Sequence, residues 1–341
     1  MFPAVDDELS KNPFFKGWKE KAVFARLLSP PPLLIEEFSK EWVEDFKKMT
    51  GDGPLTSEIL GNLAAQIESL RKLEGYENIK RKLERLDDQL FPTLSEIEFI
   101  AFLLQNTPSK AVKLEKTFTT RSGKNPELRI DGKFGEVFIE VTSIQDFKEK
   151  SLILSYFNIF AAFQLSLIVL NGLCRELIIR FNKYPSKEIF DEIYGLLTKH
   201  MNMKKQDSSY PLIVNEKNEN FSLSFSEGKK IDFEYPIDVI KNKIKDKIED
   251  KTRQFDDGEQ NFVVLDITSI VLNLGIVADV VKDYFEYSGN KTVCGVLLFS
   301  KRWNLEDFEP IFRIECLHQP NPLLDIDKTK AIVRDLLDKK L

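Results

Sequence analysis

The sequence predicts an α/β fold, in which a mixed sheet is covered by helices on both faces and follows a helical region. Three observations support this prediction. Residues 1–92 show helical periodicity without a strand pattern, the chain from about residue 93 alternates strand-like runs with helical segments, and no Gly/Ser-rich linker interrupts the alternation. Alternating strands and helices are typical of a sheet buried on both faces. We therefore predict a helical N-terminal region over 1–92 and one α/β domain over 93–341, which ends in a C-terminal αβ extension.

The N-terminal region contains three predicted helices and no cluster of catalytic residues. The first helix, over 30–50, opens on prolines, carries acidic residues in its first turns and ends in lysines, as expected for a capped helix. Two more helices cover 51–73 and 78–90. We interpret this region as a subdomain or arm whose helices are available to a protein partner.

From residue 93 the predicted order is helix, three strands, helix and strand. A glycine-rich turn at 131–136 joins the second and third strands, which favours a hairpin. The elements from 183 onward alternate in the same way. The predicted helices cover 93–105, 151–173, 186–201, 236–255 and 276–288, and the predicted strands cover 112–120, 126–131, 137–143, 176–181, 210–216, 220–225, 261–270, 292–303 and 309–317.

The composition and the net charge of the chain argue against several classes of protein. The 341 residues are 42% hydrophobic and 30% charged, which suits a globular protein with a sizeable core. A net charge of −6 argues against a chain coated with nucleic-acid-binding charge but leaves room for local basic patches. The three cysteines lie far apart and there are only two histidines. This favours free thiols in a reducing compartment over a zinc site or a disulfide framework.

The sequence also bears on location. The first residues lack a basic segment followed by an apolar run, so we expect no secretory signal and a cytoplasmic protein. The apolar run Ser151–Leu173 is nearly long enough to span a bilayer, but it carries amide and hydroxyl side chains. We favour a buried helix over a membrane span, and we expect no membrane partner.

Acidic residues on the predicted hairpin suggest a metal site. Side chains alternate along a strand, so Glu140 and Thr142 share one face of the third strand, and Glu127 and Asp131 share one face of the second. Antiparallel pairing brings Glu127 or Asp131 near Glu140, and the sequence does not decide which. Carboxylates that converge in this way supply the hard oxygen ligands needed for Mg²⁺-assisted phosphodiester hydrolysis.

The helix over 93–105 adds a third acid. On a helical wheel Glu96 lies about 65° from the centre of the apolar face, and Glu98 lies about 135° away. We therefore expect Glu96 to reach the edge of the sheet and Glu98 to face water. The alternative is that Glu96 simply marks the border of an amphipathic helix.

The order of a helical glutamate, a strand, a proline followed by an acid, a strand and a Glu-x-(Lys) motif resembles the PD-(D/E)XK nuclease superfamily, which has the restriction-endonuclease-like fold. The resemblance is carried by Glu96, Pro126-Glu127 and Glu140-Val141-Thr142, and it covers about residues 94–182. It implies a metal-dependent DNA endonuclease that hydrolyses phosphodiester bonds. It also implies Mg²⁺ or Mn²⁺ held by Glu127, Glu140 and the main-chain carbonyl of Val141, with Glu96 helping through water.

Two residues depart from the family pattern. Glu127 stands where aspartate is usual, and Thr142 stands where the family has a lysine. That lysine orients or activates the attacking water and offsets charge on the phosphate, which threonine cannot do. The departures leave a second interpretation open, in which the fold is retained without catalysis as a module that binds nucleic acid or a protein partner.

A lysine from a later helix is a candidate replacement. In the predicted helix over 236–255, Lys251 falls within the apolar stripe, with Gln254 beside it. We hypothesise that Lys251 reaches the carboxylates and that Gln254 accompanies it. The alternative is that Lys251 extends past the edge of the core to water.

Charge near the hairpin is consistent with a nucleic-acid partner. Residues 109–133 contain seven basic and three acidic residues. Such a stretch beside the predicted site is suited to contact phosphates, and DNA is the expected partner. An ordinary solvated hairpin would show the same composition.

Overall fold

The structure, a computed structural model, is a mixed α/β protein. The structure describes residues 30–51, 54–105, 111–115, 118, 120, 122–144, 150–160, 175–207, 209–210, 214–227, 231–234, 236–267, 274–306 and 309–337.

The described residues form ten helices and ten strands. The helices are α1 (Pro32–Glu37), α2 (Lys40–Thr50), α3 (Pro54–Leu70), α4 (Tyr76–Glu84), α5 (Leu90–Leu104), α6 (150–160), α7 (Lys187–Gln206), α8 (Ile237–Thr252), α9 (Leu274–Ser288) and α10 (Ile326–Leu337). The strands are β1 (Val112–Leu114), β2 (Leu128–Gly132), β3 (Gly135–Ser143), β4 (Arg175–Phe181), β5 (Val214–Lys217), β6 (Phe221–Glu227), β7 (Ile231–Glu234), β8 (Gln260–Asp266), β9 (Gly295–Glu306) and β10 (Glu309–Pro320).

The chain divides into two compact units. The first comprises the described parts of Met1–Ala64, Lys148–Pro236 and Arg302–Arg313, and the second those of Ala65–Phe147, Ile237–Lys301 and Ile314–Leu341. This grouping differs from the predicted division into 1–92 and 93–341. Alternation of strands and helices predicts the class of fold, but it does not say which strands pair with each other.

The first unit contains a four-stranded sheet in the order β5-β6-β4-β7. Strand β4 was predicted to continue the same domain as β3, but it pairs with β6 and β7 instead. The single helix predicted over 30–50 is interrupted at Ser39, whose φ angle is 117° and whose side chain accepts a hydrogen bond from the N–H group of Trp42. The strand β7 and, in the second unit, the helix α10 were not predicted.

The second unit is built on a six-stranded mixed sheet, as predicted for the class of fold. The order is β1-β2-β3-β8-β9-β10. Strands β1, β2 and β3 pair in antiparallel fashion, whereas β3, β8 and β9 are parallel. Strand β3 is buried on both faces from Val137 to Ser143, which is typical of a central strand between layers of helices.

Helices cover the two faces of this sheet. Phe99 of α5 contacts Phe299 of β9 edge to face, at 6.0 Å between ring centroids. Phe299 is in register with Asp266 and, through it, with Ser143. Since side chains alternate along a strand, α5 covers the face opposite Glu140. Helix α8 packs on β3 and β8, and it approaches from the side of Glu140.

The apolar run Ser151–Leu173 was predicted as a buried helix. Residues 150–160 are helical, and the remainder of the run lies outside the described residues. In the part of the chain that the structure describes, no helix is both long and apolar enough to cross a membrane.

Close packing around Gly295 leads to a test of the fold. A Cβ atom at this position would lie 2.6 Å from His318 Nε2 and 3.0 Å from the carbonyl oxygen of Gln319. We expect Gly295→Ala to lower the free energy of unfolding by about 1–3 kcal/mol through overpacking, as measured by urea denaturation. Gly61→Ala is the control, because nothing lies within 4 Å of a Cβ there, and it should be neutral or stabilising. Equal effects of the two substitutions would contradict the packing at β9.

Candidate functional site

The candidate site forms where the hairpin of β2 and β3 opens. Pairing along β2 begins only at Leu128, because Pro126 has no N–H group with which to extend the ladder. The next backbone groups are bound by side chains instead. The Glu127 N–H group donates to Glu140 Oε1 at 3.0 Å, and the Val141 N–H group donates to Glu127 Oε2 at 2.5 Å. Each carboxylate thus replaces a strand partner, and the two acids are held side by side.

Lys251 of α8 bridges the two carboxylates. Its Nζ atom donates hydrogen bonds to Glu127 Oε1 at 3.0 Å and to Glu140 Oε2 at 2.8 Å. The lysine points inward because it continues the stripe of isoleucines through which α8 is buried. The structure therefore places Lys251 at the acids and not in solvent, although Lys251 and Glu140 are 111 positions apart in the chain.

A second ion pair lies beside the first. Glu96 of α5 is 2% exposed, and Lys82 Nζ lies 3.2 Å from Glu96 Oε2 and 2.7 Å from Glu115 Oε2. The charge of Glu127 acts on both Glu96 and Lys82, so the two ion pairs are electrostatically connected. Together the six residues Lys82, Glu96, Glu115, Glu127, Glu140 and Lys251 form the acidic cluster.

Burial and neighbouring charge shift the pKa values in the acidic cluster. Burial raises the pKa of Glu96 to about 8, the charge of Glu127 adds to the rise, and Lys82 opposes it. Burial likewise raises the pKa of Glu140 to about 8, again with Glu127 adding and Lys251 opposing. Burial lowers the pKa of each lysine, but the surrounding carboxylates outweigh it and hold both pKa values above the ordinary range. The lysines therefore stay charged, whereas the buried acids retain protons to unusually high pH.

The acidic cluster offers oxygen donors of the kind that a divalent cation prefers. In a strand the N–H and C=O groups of one residue point the same way, so the Val141 carbonyl faces the opening that Glu127 occupies. Glu96 Oε1 is buried and has no hydrogen-bond partner among the described residues. These donors fit Mg²⁺ or Mn²⁺ chemically. Within the described ranges no three acidic, His or Cys side chains stand ready as a metal-binding group, and a cation between Glu127 and Glu140 requires Lys251 to leave one of them.

Neither Asp131 nor Thr142 adds a charge beside Glu140. Asp131 lies toward the hairpin turn, where it forms an ion pair with Arg129 at 3.1 Å. The register that the sequence left open therefore places Glu127, and not Asp131, at Glu140. Thr142 is buried on the strand face of Glu140 and brings no charge to it.

Two expectations from helical wheels need correction. Helix α8 ends at Thr252, so Gln254 lies in a turn with an exposed side chain and not beside Lys251 on the helix. Glu98 was expected to face water but is 7% exposed. A helical wheel assumes one buried side, whereas α5 is buried on several sides.

The basic stretch over 109–133 is largely neutralised where it is described. Three of its basic residues, Lys110, Lys116 and Arg121, lie outside the described residues. The other four each have an acidic partner, so their charge is not directed solely to solvent. The pairs are Lys113–Asp131 at 3.7 Å, Lys124–Asp256 at 3.8 Å, Arg129–Glu136 at 3.0 Å and Lys133–Asp335 at 3.0 Å.

Sequence reasoning missed Lys82 and Glu115. Lys82 lies on α4 directly before the buried Leu83 and one turn after the buried Ile79. A lysine at the border of a buried stripe was the available signal, which is weaker than that of Lys251, a lysine within its stripe. Glu115 directly follows β1, and only the tertiary structure brings it to Lys82.

Comparison with known proteins finds no relative. No protein-family model, no curated protein and no solved structure matches the chain.

Removing the charge of Lys251 tests the first ion pair. We expect Lys251→Met to lower the free energy of unfolding by about 3 kcal/mol at pH 8, because it leaves two carboxylates without their shared counter-charge. Lys282→Met is the control, since Lys282 is 54% exposed. Adding Glu140→Gln to Lys251→Met should recover part of the loss, as measured by urea denaturation in a double-mutant cycle. Independent, additive effects would show that the contact contributes nothing.

The raised pKa of Glu96 predicts a pH dependence. Glu96 binds its proton more tightly in the folded state, so its stabilising contribution is present below about pH 4.5 and is lost as pH rises through about 8. Glu96→Gln lacks this titration. We therefore expect the variant to gain stability relative to the wild type between pH 5 and pH 8. The midpoints of urea denaturation at both pH values measure this gain. The control Glu286→Gln, at an exposed position, should show no gain. A difference in stability between Glu96→Gln and the wild type that is the same at both pH values would contradict the prediction.

Proposed function

We propose that the second unit has a restriction-endonuclease-like core and acts as a metal-dependent endonuclease on nucleic acid, with DNA as the expected substrate. The order α5, β1, β2, β3, α8 and β8 supports the proposed core, since it is the predicted sequence of helix, three strands, helix and strand. In this arrangement β8 takes the place that the sequence had suggested for β4.

The position of Lys251 carries the proposal. A nuclease of this kind needs a positive group beside its paired acids, and Thr142 cannot supply it. Lys251 Nζ lies within 3.0 Å of both Glu127 and Glu140. A lysine from a different element therefore provides the charge that is missing from β3.

The chain's own residues have distinct parts in the proposed reaction. When bound, Mg²⁺ or Mn²⁺ would be held by Glu127, Glu140 and the Val141 carbonyl, with Glu96 acting through water, and would supply a polarised water and charge stabilisation at the phosphate. Lys251 has a raised pKa, so it serves as a hydrogen-bond donor to phosphate or water and not as a base. Glu140 has to lose its proton before it can bind a cation.

A second candidate function is a nuclease-fold module without catalysis, which binds nucleic acid or a protein partner. Two observations favour it. Lysines already form ion pairs with the carboxylates of the acidic cluster, and the described basic residues of 109–133 are paired with acids. A protein partner would use the helices of the 1–92 region, where Ile35 of α1 is an exposed apolar side chain.

Nicking of supercoiled plasmid tests the first candidate. With Mg²⁺ or Mn²⁺ we expect wild-type protein to nick DNA, with a rate that rises from pH 6 to pH 9 as the buried acids release protons. Glu140→Ala should abolish metal-dependent cleavage. Lys251→Met should slow it about 100-fold, Lys251→Arg should retain part of the rate, and Lys282→Met should match the wild type.

The same assay separates the two candidates. Folded wild-type protein that shows no cleavage with either metal would rule out the first. Salt-dependent DNA binding without cleavage, unaffected by Glu140→Ala, would support the second. Each variant is compared below its own unfolding temperature, so that loss of fold is not read as loss of chemistry.

A further inference from the structure

A second link joins the two chain segments that meet at Lys251 and Glu127. Asp256 follows the end of α8, and its Oδ2 atom accepts a hydrogen bond from the Ser122 N–H group at 2.9 Å. The Ser122 hydroxyl group donates to the other carboxylate oxygen, Oδ1. Ser122 lies five residues before Glu127, and Asp256 lies five residues after Lys251. The two segments are therefore connected both at the site and just outside it.

The loop that carries Ser122 is held in a closed turn. The Thr120 N–H group donates to the Lys124 carbonyl at 2.9 Å, and the Gly123 N–H group donates to the Thr120 carbonyl at 3.0 Å. Gly123 has a φ angle of 83°, which glycine adopts without strain. The Lys124 ammonium group donates to the carbonyl of Phe255. A displacement of Asp256 would thus be passed to the whole loop before Glu127.

Asp256 is itself anchored to the sheet. Its carbonyl accepts a hydrogen bond at 2.7 Å from Asn261 Nδ2, and Asn261 of β8 is completely buried. Asn261 also donates to the Thr292 carbonyl at 2.9 Å. The backbone of Asp256 is therefore held to the sheet, and its carboxylate binds the Ser122 loop.

We propose that Ser122 and Asp256 form a clamp that sets the position of Lys251 against Glu127 and Glu140, which makes Asp256 a positioning residue. Its catalytic consequence rests on the proposed nuclease function, but its effect on Lys251 does not. Without the clamp, the contacts that remain between the described residues of this loop and the end of α8 include the buried ion pair of Lys251 with Glu127 and the bond from Lys124 to the Phe255 carbonyl. Lys251 then has more freedom to leave the carboxylates.

Lysine acylation measures this effect directly. Full-length protein is treated with N-hydroxysuccinimidyl acetate at pH 8, and modification of Lys251 is followed by mass spectrometry, with Lys282 as the internal reference. We expect Asp256→Asn to raise the rate at Lys251 by about fivefold and Ser122→Ala to raise it less, because each loses part of the clamp. Ser122→Thr keeps both donors and should match the wild type. Ser122→Ala remains informative if Asp256→Asn fails to fold.

A lower melting temperature of Asp256→Asn and Ser122→Ala with unchanged acylation at Lys251 would overturn the proposal, because the clamp would then only stabilise the fold. Plasmid nicking is measured in parallel, where Asp256→Asn is expected to lower kcat and leave KM for DNA unchanged. Absence of nicking in the wild type would count against the nuclease function alone, since acylation reports the position of Lys251 whether or not DNA is cut.

Discussion

A carboxylate that is withdrawn from water needs a positive partner or a proton, and this constraint governs the second unit. Glu96 and Glu140 are both buried, and a buried ion pair that loses one partner destabilises a protein by about 3–5 kcal/mol. Helix α4 brings Lys82 to Glu96, and helix α8 brings Lys251 to Glu140. The placement of both helices beside the sheet is therefore tied to the charges that they carry.

The same constraint determines whether the carboxylates of the acidic cluster can bind a cation. Buried glutamates without a positive partner would stay protonated and would not bind a cation. Glutamates whose charge is fully balanced by lysines would attract a cation only weakly. Here the two lysines compensate four glutamates incompletely, and Glu96 Oε1 has no hydrogen-bond partner among the described residues. Protons, lysine ammonium groups and a divalent cation would compete for the same oxygens, so pH controls which of them is bound.

Local periodicity predicted part of this site, and tertiary pairing determined the rest. The alternation along β3 and the apolar stripe of α8 depend on neighbours in sequence, so Glu140 and Lys251 could be assigned to inward faces. The choice of Glu127 over Asp131 depends on the strand register, which Pro126 limits by ending the ladder. The helical wheel failed for Gln254, because it cannot show where a helix ends.

The grouping of strands into two sheets could not be predicted in the same way. Nothing local in β4 distinguishes pairing with β6 from pairing with β3. Lys82 and Glu115 were missed for a related reason. Each is an ordinary charged residue at the border of its element, and its role follows from contacts with residues distant in the fold.

The segment Lys148–Pro236, which belongs to the first unit, separates β3 from α8 along the chain. Lys251 and Glu140 are consequently 111 residues apart in sequence, whereas Lys82 and Glu96 are 14 apart. Closing a long loop costs more chain entropy than closing a short one, and contacts between distant residues form late in folding. The two ion pairs are therefore acquired at different times. Until the distant one closes, Glu140 lacks its ammonium partner, so the ion pair with Lys251 is among the last contacts of the second unit to form.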